Sequence, residues 1–138
     1  MIAFNYETDF KLTNEKKTMN WINSCVEKQE FELGEINYIF CDDEYLHKLN
    51  VEFLDHDTLT DIISFDYTMG KLISGDIFIS VERVKDNAAD LNISFEEELP
   101  RVIIHGVLHY CGFKDKSVDE AKEMRTKEEE YISVLEKQ

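Results

Sequence analysis

Hydrophobic and polar positions along the chain switch between two periods, and each switch marks an element. Residues 1 to 7 (MIAFNYE) alternate apolar and polar as a half-buried strand does. After Thr13, the residues Met19, Trp21, Ile22, Cys25 and Val26 recur at helical spacing, which predicts an amphipathic helix to about Lys28. Ile36, Tyr38 and Phe40 alternate as a second strand, and Asp42 or Asp43 can then cap a helix carrying Leu46, Leu49, Asn50 and Phe53. The runs 61–67 and 75–80 are β-rich and separated by a Met69-Gly70-Lys71 turn, so they read as neighbouring strands, antiparallel in the simplest topology. Ser80 reads as the N-cap of a helix through Ala88 and Ala89. Ser94 and Glu97 form an S-x-x-E capping box for the next helix, although Pro100 leaves open a start near Leu99; in both cases residues 101 to 111 are helical. A charged helix from Val118 to Leu135 follows, with Ala121, Met124, Tyr131 and Val134 as its buried stripe. Strands interleaved with helices predict an α/β (α+β) fold in a single domain over 1–138, a mixed sheet of about four strands packed with helices.

Composition narrows the class. With 43% hydrophobic and 33% charged residues, one proline and five glycines, the chain is neither disordered nor collagenous. Thirty acidic against fifteen basic residues leave a net charge of −15, which opposes attachment to DNA, RNA or anionic lipid. A nucleic-acid function would need a local cation, such as a bound metal, or a basic partner. No apolar run approaches the roughly 18 to 20 residues of a membrane span, and the opening residues lack the basic and apolar regions of a signal peptide, so a cytoplasmic location without membrane contact is expected. Cys25, Cys41 and Cys111 are odd in number and widely spaced, which fits buried small hydrophobes better than a disulfide framework or a cysteine zinc site.

The chemistry concentrates in His105-Gly106-Val107-Leu108-His109. Two histidines four residues apart on a helix project from one face, with Cβ atoms about 5–6 Å apart, and can share one metal ion. Val102, Ile103, Ile104, Val107 and Leu108 make this helix apolar nearly all round and therefore central, so its histidines need partners. Gly112 can end the helix in a left-handed turn and bring Asp115 back toward the histidine face. Two imidazoles and one carboxylate, with a fourth position for water, form a catalytic and not a structural coordination set. The same set serves zinc and non-haem iron, so donor types alone leave the ion open.

Three blocks of residues, in order over about 46 to 115, resemble the YbeY family of metal-dependent endoribonucleases that act in ribosomal RNA maturation. The family motif H-G-x-L-H-x-x-G, which ends with a third histidine ten residues after the first, is matched by His105 through Gly112 with Asp115 in the last place. An L-N followed by T-D-h-h-S-F is matched by Leu49-Asn50 and by Thr60-Asp61-Ile62-Ile63-Ser64-Phe65, and a G-D-I block by Gly75 through Ser80. The resemblance implies one Zn2+ or another divalent ion per chain, held by His105, His109 and Asp115. It also implies single-strand-specific cleavage in maturation of the small-subunit rRNA 3′ end and in ribosome quality control. Partners implied are ribosomal RNA, the small ribosomal subunit with a basic ribosomal protein, and the GTPase Era, with no DNA. Two positions depart from the family. Leu54 stands where the family usually has an arginine implicated in activity, and Asp115 lowers the charge of a divalent site from about +2 to +1, weakening the ion as a Lewis acid.

Asp61 and Asp76 are candidates to orient a histidine N–H or a bound water, against the plainer reading of strand-end capping. His47 and His56 are expected to be exposed, Ser64 to be a hydrogen-bonded strand serine, Glu96-Glu97-Glu98 to cap a helix, and Glu128-Glu129-Glu130 to form a solvated face. No general base is assigned. The alternatives to a nuclease are a non-catalytic ribosome-assembly factor, favoured by Leu54, and a metallopeptidase-like hydrolase. The second is disfavoured because Gly106 stands where such enzymes place their general base.

Overall fold

Ile36, Tyr38 and Phe40, fully buried along β2 (Glu32–Cys41), form the centre of the core, and the neighbouring elements are placed by what they pack against them. The protein is described here by a computed structural model covering residues 1–56 and 58–137. Strand β1 (Ile2–Tyr6) runs parallel to β2, the crossover between them being made by α1 (Glu15–Lys28). Helix α2 (Asp43–Leu54) leads to β3 (Ile62–Asp66) and β4 (Leu72–Ser80), which pair antiparallel as the sequence predicts, while β4 runs parallel to β2. The sheet order is β1-β2-β4-β3. Helices α3 (Val81–Asp90), α4 (Phe95–Tyr110) and α5 (Val118–Glu136) follow.

Strand alternation divides the sheet into two faces. Ile36, Tyr38, Phe40, Ile73, Ile77 and Ile79 join the buried residues of α1, α4 and α5 in the main core. On the other face Cys41 and Ile63, with Phe65 and Phe78 beside them, pack against Leu46 and Leu49 of α2. Three contacts seat α4 on the sheet. The Tyr38 hydroxyl donates to the Ile103 carbonyl at 2.8 Å, and the Tyr110 hydroxyl donates to the Phe65 carbonyl at 2.9 Å. Gly106 lets the helix come close, since a Cβ there would meet Ile77 Cδ1 at 3.0 Å and Ile62 Cδ1 at 3.2 Å. Helix α5 is tied to α1 by the buried Trp21 indole N–H, which donates to the Tyr131 carbonyl at 2.7 Å.

The structure corrects several details of the sequence reading. Helix α4 starts at Phe95, its Ser94–Glu97 capping box fully formed, and Pro100 is carried within it. Ala121 is exposed, and Glu128 takes its place in the buried stripe with Met124 and Tyr131. Strand β4 begins at Leu72, ahead of Gly75. His47 is half-buried while His56 is exposed. Cys25 and Cys41 are buried as expected, but Cys111 is only partly so.

Candidate metal centre

Helix α4 ends in a turn that does two things at once. The Gly112 N–H donates to the His109 carbonyl at 3.0 Å and the Phe113 N–H to the Leu108 carbonyl at 3.0 Å, with Gly112 at φ +98°, which together make a Schellman cap. This turn brings the Phe113 carbonyl to 2.9 Å from His109 Nδ1, and sends the chain back so that Asp115 faces the histidines. His105 Nε2 and His109 Nε2 lie 2.9 Å apart, and Asp115 Oδ2 lies 3.2 Å from the first and 3.4 Å from the second. Both rings are partly buried, and the Asp115 carboxylate is open to solvent.

The partners on the far side of each ring decide what the cluster can hold. His109 Nδ1 faces a backbone carbonyl, which only accepts, so Nδ1 carries the ring proton. His105 Nδ1 lies 2.6 Å from Oε2 of Glu128, and an ionised carboxylate also only accepts. With both rings neutral, each Nε2 turns its lone pair toward the other and toward Asp115, so three acceptors converge. Such a group needs a cation. Tetrahedral zinc, with bonds of about 2.0–2.1 Å, spaces its donors about 3.3 Å apart, and the observed separations of 2.9, 3.2 and 3.4 Å fit it. Burial pulls the His105 pKa down, but the hydrogen bond and charge of Glu128, with the charges of Asp115 and Asp61, more than offset it, so it lies above the ordinary imidazole value.

Glu128 belongs to a buried chain of charges. Its Oε1 lies 3.2 Å from Arg101 Nη1, and Arg101 Nε lies 3.3 Å from Glu98 Oε1. Burial pushes the Glu98 carboxyl above its ordinary value, with Arg101 opposing. These groups form one wall of a cleft of about 390 Å³ that opens beside His105 and Asp115. Ile62, Val102 and Met124 give it apolar surface, and Asp61 and Arg125 add charges.

The structure thus brings His105, His109 and Asp115 together. Asp61 lies in the cleft, where its carboxylate accepts from Asn87 Nδ2 at 3.4 Å and not from a histidine. Asp76 is not part of the centre. It pairs with Phe65 across β3 and β4, accepts from Asn37 Nδ2 at 3.1 Å, and so lies on the α2 face of the sheet. Leu54 is the last residue of α2 and is exposed. Buried Asn50 of the L-N block donates to the Thr58 carbonyl at 2.8 Å, holding the loop that leads to Asp61. Sequence reasoning missed Glu128, Glu98 and Arg101. The signal for Glu128 was its phase, four residues after Met124 and three before Tyr131 on a buried helical stripe.

Comparison with known proteins agrees with the resemblance. A family model described as endoribonuclease YbeY matches residues 3–136. A protein of Flavobacterium johnsoniae named endoribonuclease YbeY is 66% identical over 135 residues, covering 98% of this chain and 97% of its own length. Proteins of the same name from Flavobacterium psychrophilum and Bacteroides fragilis are 56% identical over 135 residues and 44% identical over 136, covering 98% and 96% of this chain and 96% and 98% of their own. A Thermotoga maritima protein whose structure was determined in solution matches with a TM-score of 0.70 at 26% identity, over 98% of this chain and 89% of its own.

Proposed function

The chain belongs to the endoribonuclease YbeY family, and from that premise we propose that it is a zinc-dependent, single-strand-specific endoribonuclease of ribosomal RNA maturation, acting in the cytoplasm. The observation that carries the metal part of this reading is the convergence of His105 Nε2, His109 Nε2 and Asp115 Oδ2 at separations of 2.9, 3.2 and 3.4 Å, with each Nδ1 facing an outside acceptor. These three atoms would hold the ion. A divalent ion there supplies an acidified water and positive charge for a phosphodiester undergoing attack. Glu128 and the Phe113 carbonyl hold the ring protons on Nδ1, away from the site. Partly exposed Ile62, backed by buried Val102 and Met124, gives the cleft an apolar spot that an unpaired base can meet, while a duplex would keep its bases stacked away from it. Arg125 is the cleft cation placed to meet a backbone phosphate, since Arg101 already serves two carboxylates.

Charge explains why the ion matters. Asp61, Glu98, Asp115 and Glu128 outnumber Arg101 and Arg125 around the cleft, so RNA meets a repelling wall unless a cation is added. The net charge of −15 extends this to the whole surface, which suits docking to a basic ribosomal protein on the small subunit, with Era as a further partner. A non-catalytic assembly role remains the second reading, favoured by Leu54 in place of an arginine. The test is cleavage of matched single- and double-stranded RNA by wild type, His105→Ala, His109→Ala and Asp115→Ala. Cleavage of the single strand by wild type alone is expected. Full folding with no cleavage under any metal would support the assembly role instead.

A further inference from the structure

We propose that Arg101 is a positioning residue of the metal centre, acting through Glu128 on the side of the His105 ring that carries the proton. The proposal rests on reading His105, His109 and Asp115 as metal ligands. Glu98, Arg101 and His105 stand at i, i+3 and i+7 on α4 and so share a face, and Glu128 reaches that face from α5. Glu128 divides its two oxygens: Oε1 lies 3.2 Å from Arg101 Nη1, and Oε2 lies 2.6 Å from His105 Nδ1. The guanidinium therefore sets the rotation of the carboxylate plane as well as neutralising its charge. Without it Oε1 would have no donor at a position where the Glu128 side chain is only 6% exposed, and the carboxylate would turn to find one, taking Oε2 off Nδ1.

Arg101 is itself held in place. Its Nε forms an ion pair with Glu98 Oε1 at 3.3 Å, and neither atom makes a hydrogen bond among the described residues. The Glu98 side chain is 7% exposed, so the guanidinium lies between two buried carboxylates, hydrogen-bonded to Glu128 and ion-paired with Glu98. The resulting line, Glu98 to Arg101 to Glu128 to His105, leads from the first turns of α4 to the ligand atoms. A device that merely fastened α5 to α4 would need the ion pairs but not the division of Glu128 between Arg101 and a ligand histidine.

The experiment compares wild type with R101M and R101K in the full chain. Zinc affinity is read by competition with a chromophoric chelator. The His105 tautomer is read from imidazole 15N shifts of the zinc-free protein at alkaline pH, where the ring is neutral, and stability from thermal melts. R101M should lose about tenfold or more in zinc affinity and convert His105 from the Nδ1–H form to a mixture of tautomers. R101K, which keeps the charge but not the fork, should fall between R101M and wild type in both. An R101M that melts lower yet keeps wild-type affinity and the Nδ1–H tautomer would overturn the proposal and leave Arg101 a fastener of helices. If R101M does not fold, R101K decides: lowered affinity with mixed tautomers supports the proposal, and wild-type values for both overturn it. Wild-type protein that binds no zinc would sink the metal reading separately, and the tautomer of His105 would still settle the action of Arg101 on Glu128.

Discussion

Replacing Glu128 by glutamine isolates the contact that sequence reasoning overlooked. The side chain is 6% exposed, touches His105 Nδ1 at 2.6 Å and Arg101 Nη1 at 3.2 Å, and accepts from both. Glutamine keeps the volume but turns one oxygen into an NH2 donor. If the amide oxygen faces His105, the NH2 faces the guanidinium; if it is flipped, the NH2 faces the ring N–H. The first arrangement sets donor against donor at Arg101, and the second does so at Nδ1 unless the ring moves its proton to Nε2, the atom that would hold the ion. The loss is a buried, charge-assisted hydrogen bond, about 1.5–3 kcal/mol of folding stability. The loss of the group that orients a ligand histidine lowers metal affinity about 10- to 100-fold. Chelator competition measures the second effect and urea unfolding of the zinc-free protein the first, with the midpoint falling and the slope unchanged. Glu129→Gln and Glu130→Gln alter exposed neighbours and should stay within about 0.5 kcal/mol of wild type. Wild-type zinc affinity in Glu128→Gln, or equal effects from all three substitutions, would refute the reasoning.

Gly75→Ala should cost about 3 kcal/mol in thermal or urea unfolding, because a Cβ there overlaps the Phe65 carbonyl and the Tyr110 hydroxyl, and β3 or α4 must move. Burial raises the Asp43 pKa, but hydrogen bonds from Arg83 and Ser80 and the charge of Arg83 outweigh it, and the value falls below the ordinary 3.8. The stabilisation is thus full above that ordinary value and is lost as pH falls through the depressed one. The stability gap between wild type and Asp43→Asn, about 1 kcal/mol at neutral pH, should close only in strong acid in pH-dependent unfolding. Burial pushes the Cys25 and Cys41 thiols to about 12 and Cys111 to about 11, so a thiol reagent at neutral pH should label the native chain slowly and all three residues rapidly after unfolding. Binding to naked RNA should be weak and should strengthen as modest salt screens the −15 charge, opposite to ordinary RNA binders, in a titration across ionic strength.

Local signals with a single structural solution were legible. The S-x-x-E box at Ser94, the alternation of Ile36, Tyr38 and Phe40, and the two histidines four apart before Gly112 each have one economical geometry, and the fold adopts it. What stayed hidden depended on phase or register between elements. Glu128 sits in a run of three glutamates, and composition reads such a run as surface; only its alignment with Met124 and Tyr131 shows that one of the three turns inward. Asp61 and Asp76 looked equivalent, both lying in β-rich runs. The register that sets Phe65 opposite Asp76 puts Asp76 on the α2 face, and no property of either run alone carries that information. Arg101 was hidden for a related reason, because its partner Glu128 comes from α5.

The central claim is that the His105, His109 and Asp115 atoms hold one ion on which RNA cleavage depends. The most direct test is single-stranded RNA cleavage by chelator-stripped protein as zinc is returned, with bound metal quantified in the same samples. Activity absent at the start, rising with zinc and saturating at about one bound ion per chain, is the predicted result. Cleavage that is indifferent to both chelator and zinc, or zinc that binds at one per chain without restoring any cleavage, would contradict it.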